Sequence, residues 1–337
     1  MNRKWFMGVT MKEIATHARV SISTVSRTLN NDPRISERTR EKVLRVARKL
    51  GYAIEPGSIS NGKVIMFFVN NPHRSVESDE FFSNVQRGIL QSSSRLNTHC
   101  LVQSMRSRRS FDESLIPLDL VDGLIFGGIP MPEPLRLFIP SIKVPVVLIG
   151  KYEGLEHYPS VNNDNVRGGY LAASELLKNN YERITVITGP TNVATFSDRL
   201  GGFFKCLKEN GFSRDRVKIL ECKSFEESDG RKAIERGFKR SEREALFCTT
   251  DWLAKGAMEA LREQDVVIPQ EIGIIGFGGL DFCRQIRPRL ATIALNPYLL
   301  GKIATMMLYE LLEGNIEARG VIFVEPYVLK GETLLGG

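Results

Sequence analysis

The sequence predicts a small all-α headpiece built on a helix-turn-helix, joined to a much larger α/β core of two parallel-sheet lobes. Three observations predict it. The excess of basic over acidic charge is confined to the first fifth of the chain. Three short amphipathic helices can be read there. Beyond residue 64, apolar runs alternate with helical stretches for about 270 residues, more than one sheet commonly holds.

The chain has 337 residues and a formal net charge of +7. Residues 1–63 carry 13 Lys and Arg against 5 Asp and Glu, a net of +8, while the remainder carries 33 against 34. A basic module on a near-neutral body is the charge footprint of nucleic-acid binding, because it neutralises phosphates and releases counterions. With 42% hydrophobic and 25% charged residues, the composition excludes collagen-like, disordered and disulfide-scaffold classes. No apolar run reaches the length of a membrane helix, and the charged start, Met1 to Phe6, shows no secretory pattern. The five cysteines, Cys100, Cys206, Cys222, Cys248 and Cys283, form no paired metal motif and read as buried hydrophobes in a reducing cytoplasm.

Thr10-Met11-Lys12-Glu13 is a capping box that opens the first helix, with Ile14, Ala15 and Ala18 on its apolar side. After a turn at Arg19-Val20, Ser21 caps a second helix from Ile22 to Asn30, whose buried stripe is Val25 and Leu29. Ser36 caps a third from Glu37, with Val43, Val46, Ala47 and Leu50 at helical spacing. In a helix-turn-helix the second helix enters the major groove with its N-terminal residues on base edges. Ile22, Ser23 and Arg27 are the candidate base contacts: Arg27 suits guanine and Ile22 a thymine methyl. Thr10, Ser21, Thr24, Ser26, Asn30, Ser36 and Thr39 are the candidate phosphate contacts.

The runs Val9 to Ala15, Val20 to Asn30, Ile35 to Arg40 and Leu50-Gly51-Tyr52 resemble the headpiece of the LacI/GalR (lac repressor) family of bacterial transcription regulators. The similarity continues nearly to the C-terminus. It implies that the positions of Ile22, Ser23 and Arg27 read bases. It also implies a periplasmic-binding-protein-like core of two Rossmann-like lobes with an effector between them. The organisation expected is a headpiece over 1–52, a hinge over 53–63 and a core over 64–337. Lobe 1 takes about 64–160 and 296–320, and lobe 2 about 161–295 and 321–337. The hinge departs from the family, having two glycines and no Ala-Arg pair, with Ile59 as the one candidate minor-groove wedge.

Within the core, strands are expected at 64–69, 123–126, 144–149, 183–188, 217–222, 245–248 and 272–276, and helices at 82–96, 166–179, 199–210 and 252–263. Ligands in such sheets bind beyond the carboxyl ends of strands. Candidate effector residues are Asn70, Phe81, Phe82, Arg199, Phe225, Asp251 and Asp281. Arg199 lies in Arg-Leu-Gly-Gly-Phe, similar to a family motif whose Arg binds effector. Phe81, Phe82 and Phe225 either cover a ligand or fill the core, and Asp251 either binds ligand or caps its helix. Trp252 reads as packing or subunit contact. Where the family has two acidic residues this chain has Gly278-Gly279, leaving Asp281 as the substitute.

No catalytic constellation, metal motif or cofactor fingerprint is present, so no enzyme activity, metal or cofactor is expected. The expectation is a cytoplasmic repressor of carbohydrate-utilisation genes, released from a pseudo-palindromic double-stranded DNA operator by a mono- or disaccharide. A homodimer is expected, since no heptad tail follows Leu334-Leu335, and no membrane partner. The alternatives are a purine corepressor stacked on Phe82 and Phe225, control by a protein partner, or a transporter's sugar-binding protein.

Overall fold

The computed structural model describes residues 9–29, 32, 34–50, 52, 62–107, 109–128, 131–238, 243–317 and 319–335. They fall into two compact units, Met1–Lys63 and Val64–Gly337. The expectations for Asn30 and for the hinge over 53–61, Ile59 included, lie outside the described residues.

In the first unit, α1 (Met11–Ala18) opens on the capping box: the Glu13 N–H donates to the Thr10 hydroxyl at 3.3 Å, and the Thr10 N–H donates to the Glu13 carboxylate at 2.7 Å. Arg19 closes α1 in the left-handed region at φ 51°, which turns the chain into α2 (Ile22–Leu29). α3 (Glu37–Leu50) packs across both. Ile14, Ala15, Ala18, Val25, Leu29, Val43 and Ala47 form the core. Asp32 fixes the loop ahead of α3 by accepting both Arg34 Nε at 2.9 Å and an Arg34 terminal nitrogen at 2.7 Å. Hydrogen bonds from Arg34 hold the Asp32 carboxyl well below the usual carboxylate range.

The second unit has two lobes. Lobe 1 begins with β1 (Val64–Asn70), α4 (Glu80–Arg95), β2 (His99–Met105), β3 (Gly123–Gly128), α5 (Glu133–Phe138), β4 (Val146–Ile149) and β5 (Ser160–Asn163). Lobe 2 follows with α6 (Asn165–Lys178), β6 (Arg183–Thr188), α7 (Ala194–Glu209), β7 (Val217–Glu221), α8 (Glu227–Gly237), β8 (Glu244–Cys248), α9 (Asp251–Glu263), β9 (Ile272–Gly278), α10 (Phe282–Gln285) and β10 (Ala291–Ala294). The chain returns to lobe 1 for α11 (Pro297–Leu312) and β11 (Val321–Val324), then ends in lobe 2 with β12 (Tyr327–Leu329). The sheet orders are β11-β5-β4-β3-β1-β2 and β12-β10-β9-β8-β6-β7. Every pairing is parallel except β10 with β12. Among the described residues no helix is long and apolar enough to cross a membrane.

Two expected lobe boundaries move. Strands at 160–163 and 321–324 both belong to lobe 1, where Val161 pairs with Ile149 and with Ile322, so the chain crosses at 164 and 325 rather than near 161 and 320. Ser160-Val161-Asn162-Asn163 is fully buried yet mostly polar, which hides it from a hydrophobic-run reading. Helix α7 starts at Ala194, five residues ahead of the expected Arg199, because its N-cap, Val193, supplies no capping side chain.

Three helix pairs cross at glycines. A Cβ on Gly88 would lie 2.1 Å from the Tyr298 carbonyl oxygen, and one on Gly301 2.1 Å from that of Val85, between α4 and α11. Between α6 and α7, a Cβ on Gly169 would lie 1.9 Å from the Arg199 carbonyl oxygen and one on Gly202 1.8 Å from that of Val166. Between α8 and α9, a Cβ on Gly230 would lie 2.1 Å from the Leu253 carbonyl oxygen and one on Gly256 1.8 Å from that of Glu227. Each pair is therefore in backbone contact, and a methyl group at the crossing is over-packed. Gly201, next in sequence and exposed, has nothing within 4 Å of its Cβ position. Denaturant unfolding of the core is expected to show Gly202→Ala destabilised by about 1–3 kcal/mol and Gly201→Ala stabilised by about 0.5–1 kcal/mol. Equal midpoints for the two variants contradict the backbone-contact account.

Candidate functional site

The headpiece exposes the leading face of α2. Ile22 is 50% exposed, although it is apolar, and Ser23 and Arg27 are exposed beside it. Val25, Thr28 and Leu29 take the opposite, buried face. The Ser21 hydroxyl accepts the Thr24 N–H at 3.0 Å and meets the Ser23 and Thr24 hydroxyls at 2.7 and 2.8 Å. Ser36 and Thr39 share a 2.9 Å hydroxyl contact at the start of α3. Thr10, Ser21 and Ser36 are exposed, and Thr24, Ser26 and Thr39 half-buried. All of these but Ser26 sit at helix starts, where backbone N–H groups and the helix dipole favour phosphate oxygens.

In the core, two adjoining cavities of about 250 and 120 Å³ lie between the lobes and share Phe81, Phe82, Thr195 and Arg199 as walls. Arg199 is 6% exposed. Its Nε donates to Asn165 Oδ1 at 3.0 Å, a terminal nitrogen donates to the Thr249 carbonyl, and the guanidinium stacks 3.8 Å from the centre of the Phe277 ring. Burial pushes this guanidinium down to about 9, partly offset by Asp251; it remains charged at neutral pH. Phe225 lines the smaller cavity, its ring 5.7 Å from that of Phe196. Phe81 and Phe82 stand edge to face at 5.2 Å, and Phe82 also packs into the lobe 1 core.

Asp251 lines the smaller cavity but its carboxylate serves the wall itself. One oxygen accepts the Thr292 hydroxyl at 2.6 Å and the other the Leu280 N–H at 3.0 Å. The helix cap at this point is Thr250, which accepts the Leu253 N–H. Burial raises the Asp251 carboxyl.

Two expected ligand residues are corrected. Asn70 is fully buried and lines neither cavity; its carboxamide clasps Ser107, donating to the carbonyl at 2.8 Å and accepting the N–H at 3.1 Å. Asp281 is exposed and lines neither cavity. The chain leaves β9 through Gly278 and Gly279 at φ 147° and 76°, and Leu280 is tied back to Asp251. Asp281 thus lands outside, its N–H donating to Glu80 Oε1 of lobe 1 at 2.7 Å.

Arg74, Lys151, Asn163, Phe196 and Trp252 also line the cavities, and the sequence reading assigned none of them to the ligand. The polar run Asn162-Asn163 inside a strand position is the one signal that pointed there. Several of these residues hold the lobes together. Arg74 of lobe 1 pairs with Glu226 of lobe 2 and stacks 3.6 Å from the centre of the Trp252 ring. Lys151 lies 3.5 Å from Asp198 across the cleft. Because the Arg74–Glu226 pair is mostly shielded, at 17% and 23% side-chain exposure, its loss is expected to open the lobes. Spin labels on lobe 1 and lobe 2 of a Glu226→Ala protein should show a longer mean separation than in the parent; an unchanged distribution contradicts a latch role.

Residues 10–54 match the family model described as bacterial regulatory proteins, lacI family, and residues 173–334 match the periplasmic binding protein-like domain. The chain is 27% identical over 338 residues to the HTH-type transcriptional repressor CytR of Escherichia coli (strain K12), covering 98% of each. It is 28% identical over 340 residues to the ribose operon repressor of Haemophilus influenzae, covering 96% of this chain and 98% of that one. Its fold matches the crystal structure of the lac repressor dimer bound to operator and the anti-inducer ONPF with a TM-score of 0.77, at 20% identity, covering 97% and 99% of the two chains. With a helix-turn-helix unit that matches the lacI family model, a two-lobed cleft in the core and similarity to named repressors over nearly its whole length, the chain resembles the lacI family of bacterial regulatory proteins.

Proposed function

We propose that this protein is a sequence-specific transcriptional repressor of carbohydrate-utilisation genes, released from its operator when a sugar binds between the core lobes. The observation that carries the reading is the exposed α2 face, Ile22, Ser23 and Arg27, in the same chain as a two-lobed cleft walled by Arg199 and aromatic rings. Similarity to repressors, one of them named for a ribose operon, supports the carbohydrate assignment. Ile22, Ser23 and Arg27 read base edges in the major groove, while Thr10, Ser21, Thr24, Ser26, Asn30, Ser36 and Thr39 hold phosphates. Phe81, Phe82 and Phe225 cover the apolar face of the sugar and Arg199 donates to its hydroxyls. Asp251 acts through the Gly278–Leu280 turn that it fixes.

The repressor works in the cytoplasm as a homodimer on a pseudo-palindromic site, since a two-fold assembly reads two half-sites. No catalytic step is assigned to any residue. DNA selected from a random pool by the intact protein is expected to show inverted half-sites, and Arg27→Ala to lose about 1–3 kcal/mol of affinity for it, with relaxed preference at one base pair. Affinity unchanged by Arg27→Ala contradicts the recognition-helix assignment. Sedimentation at micromolar concentration should give a dimer, and a monomer contradicts the two-fold reading. A ligand that tightens the complex instead of loosening it makes the effector a corepressor.

A further inference from the structure

The larger cavity is built for more than a neutral sugar. Its lining includes three cationic side chains, Arg136, Lys151 and Arg199, against one carboxylate, Glu153. Lys151 has Asp198 at 3.5 Å, and Arg136 has Glu133 at 3.7 Å, itself 74% exposed, and donates to the Glu153 carbonyl at 3.3 Å. No carboxylate of the described residues lies within ion-pair distance of Arg199; its partners are an amide oxygen and a carbonyl. Asn192, Val193, Ala194 and Thr195 bring the start of α7 into the same wall. Val193 makes no side-chain cap, so the first N–H groups of this 16-residue helix have no side-chain acceptor and its positive dipole end lies in the cavity wall. Such an end attracts anions.

A second, independent observation points to a ligand at this place. Asn163 lines the cavity, is 6% exposed, and its Oδ1 is buried without accepting any hydrogen bond from the protein. A buried acceptor is left unpaired at a cost, and a ligand hydroxyl is the group that satisfies it.

We infer that the cleft takes an anionic, polyhydroxylated ligand of about monosaccharide size, a sugar acid or a sugar phosphate. Its carboxylate or phosphate sits at the start of α7 between Lys151 and Arg136, and one of its hydroxyls donates to Asn163 Oδ1. This inference rests on the effector-cleft reading above and adds the charge of the effector to it.

The test is calorimetric titration of the intact protein with matched sets in the gluco and galacto series: the neutral hexose, its uronate, its aldonate and its 6-phosphate, with inorganic phosphate alongside. At least one anionic member is expected to bind ten-fold or more tightly than its neutral parent. The uronate and aldonate against the phosphate tell which anion the subsite takes. Replacing both cations of the cavity wall, Lys151→Met with Arg136→Met, should abolish most of that preference. Asn163→Ala should weaken the same ligand ten-fold or more. A neutral hexose that binds as tightly as its acids overturns the anionic subsite and leaves the sugar-regulator reading standing. Anion binding that is equal in the double variant reduces it to an adventitious ion only and overturns it. Silence across both charged and neutral sets overturns the subsite and the sugar reading together.

Discussion

The close crossing of α6 and α7 is the constraint on which the cleft depends. Gly169 has no side chain, so its backbone meets the carbonyl of Arg199, and Gly202 reciprocates against Val166. One residue earlier, a Cβ on Gly168 would stand 2.5 Å from the Phe277 ring. The same ring carries the Arg199 guanidinium, and Asn165 of α6 accepts its Nε–H. Backbone, ring and amide therefore fix one buried cation from three directions. Burying a guanidinium is expensive unless its donors are met, and here the acceptors at its Nε and at one terminal nitrogen are neutral oxygens.

The same packing device recurs where α4 meets α11 and where α8 meets α9. All three crossings join helices that flank the sheets, so each lobe is closely packed within itself. The chain passes between lobes near residues 164, 295 and 325, and the first passage is bordered by Asn162, Asn163 and Asn165, all of which line the larger cavity. A ligand held there touches the connection itself. Binding can then bias the angle between lobes only through contacts that differ between open and closed forms; the contacts across the cleft in this structure include the Arg74–Glu226 and Lys151–Asp198 bridges.

Much of this was legible in the sequence, for identifiable reasons. The headpiece was, because capping and periodicity act over three or four residues: Thr10 and Glu13 are neighbours in the chain as well as in space. Apolar strands such as Arg183–Thr188 were, because buried parallel strands read as continuous hydrophobic runs. The polar strand Ser160–Asn163 was not, and the lobe boundaries moved with it. Arg199 was found through its motif, but its surroundings were not, since Asn165, Thr249 and Phe277 come from three separate elements. Asn70 and Asp281 stood at plausible strand ends, yet a clasp on Ser107 and a glycine turn sent their side chains elsewhere. Nothing local in the sequence encodes those long-range partners.

The account's central claim is that Arg199 carries the coupling between cleft and DNA and does nothing for DNA binding itself. The direct measurement is operator affinity by fluorescence anisotropy, with and without saturating ligand, for the parent protein and for Arg199→Met. The account predicts equal affinities in the absence of ligand, and a ligand-induced change of about 5–150-fold in the parent that disappears in the variant. A variant that still responds to ligand, or that loses operator affinity without it, contradicts the account.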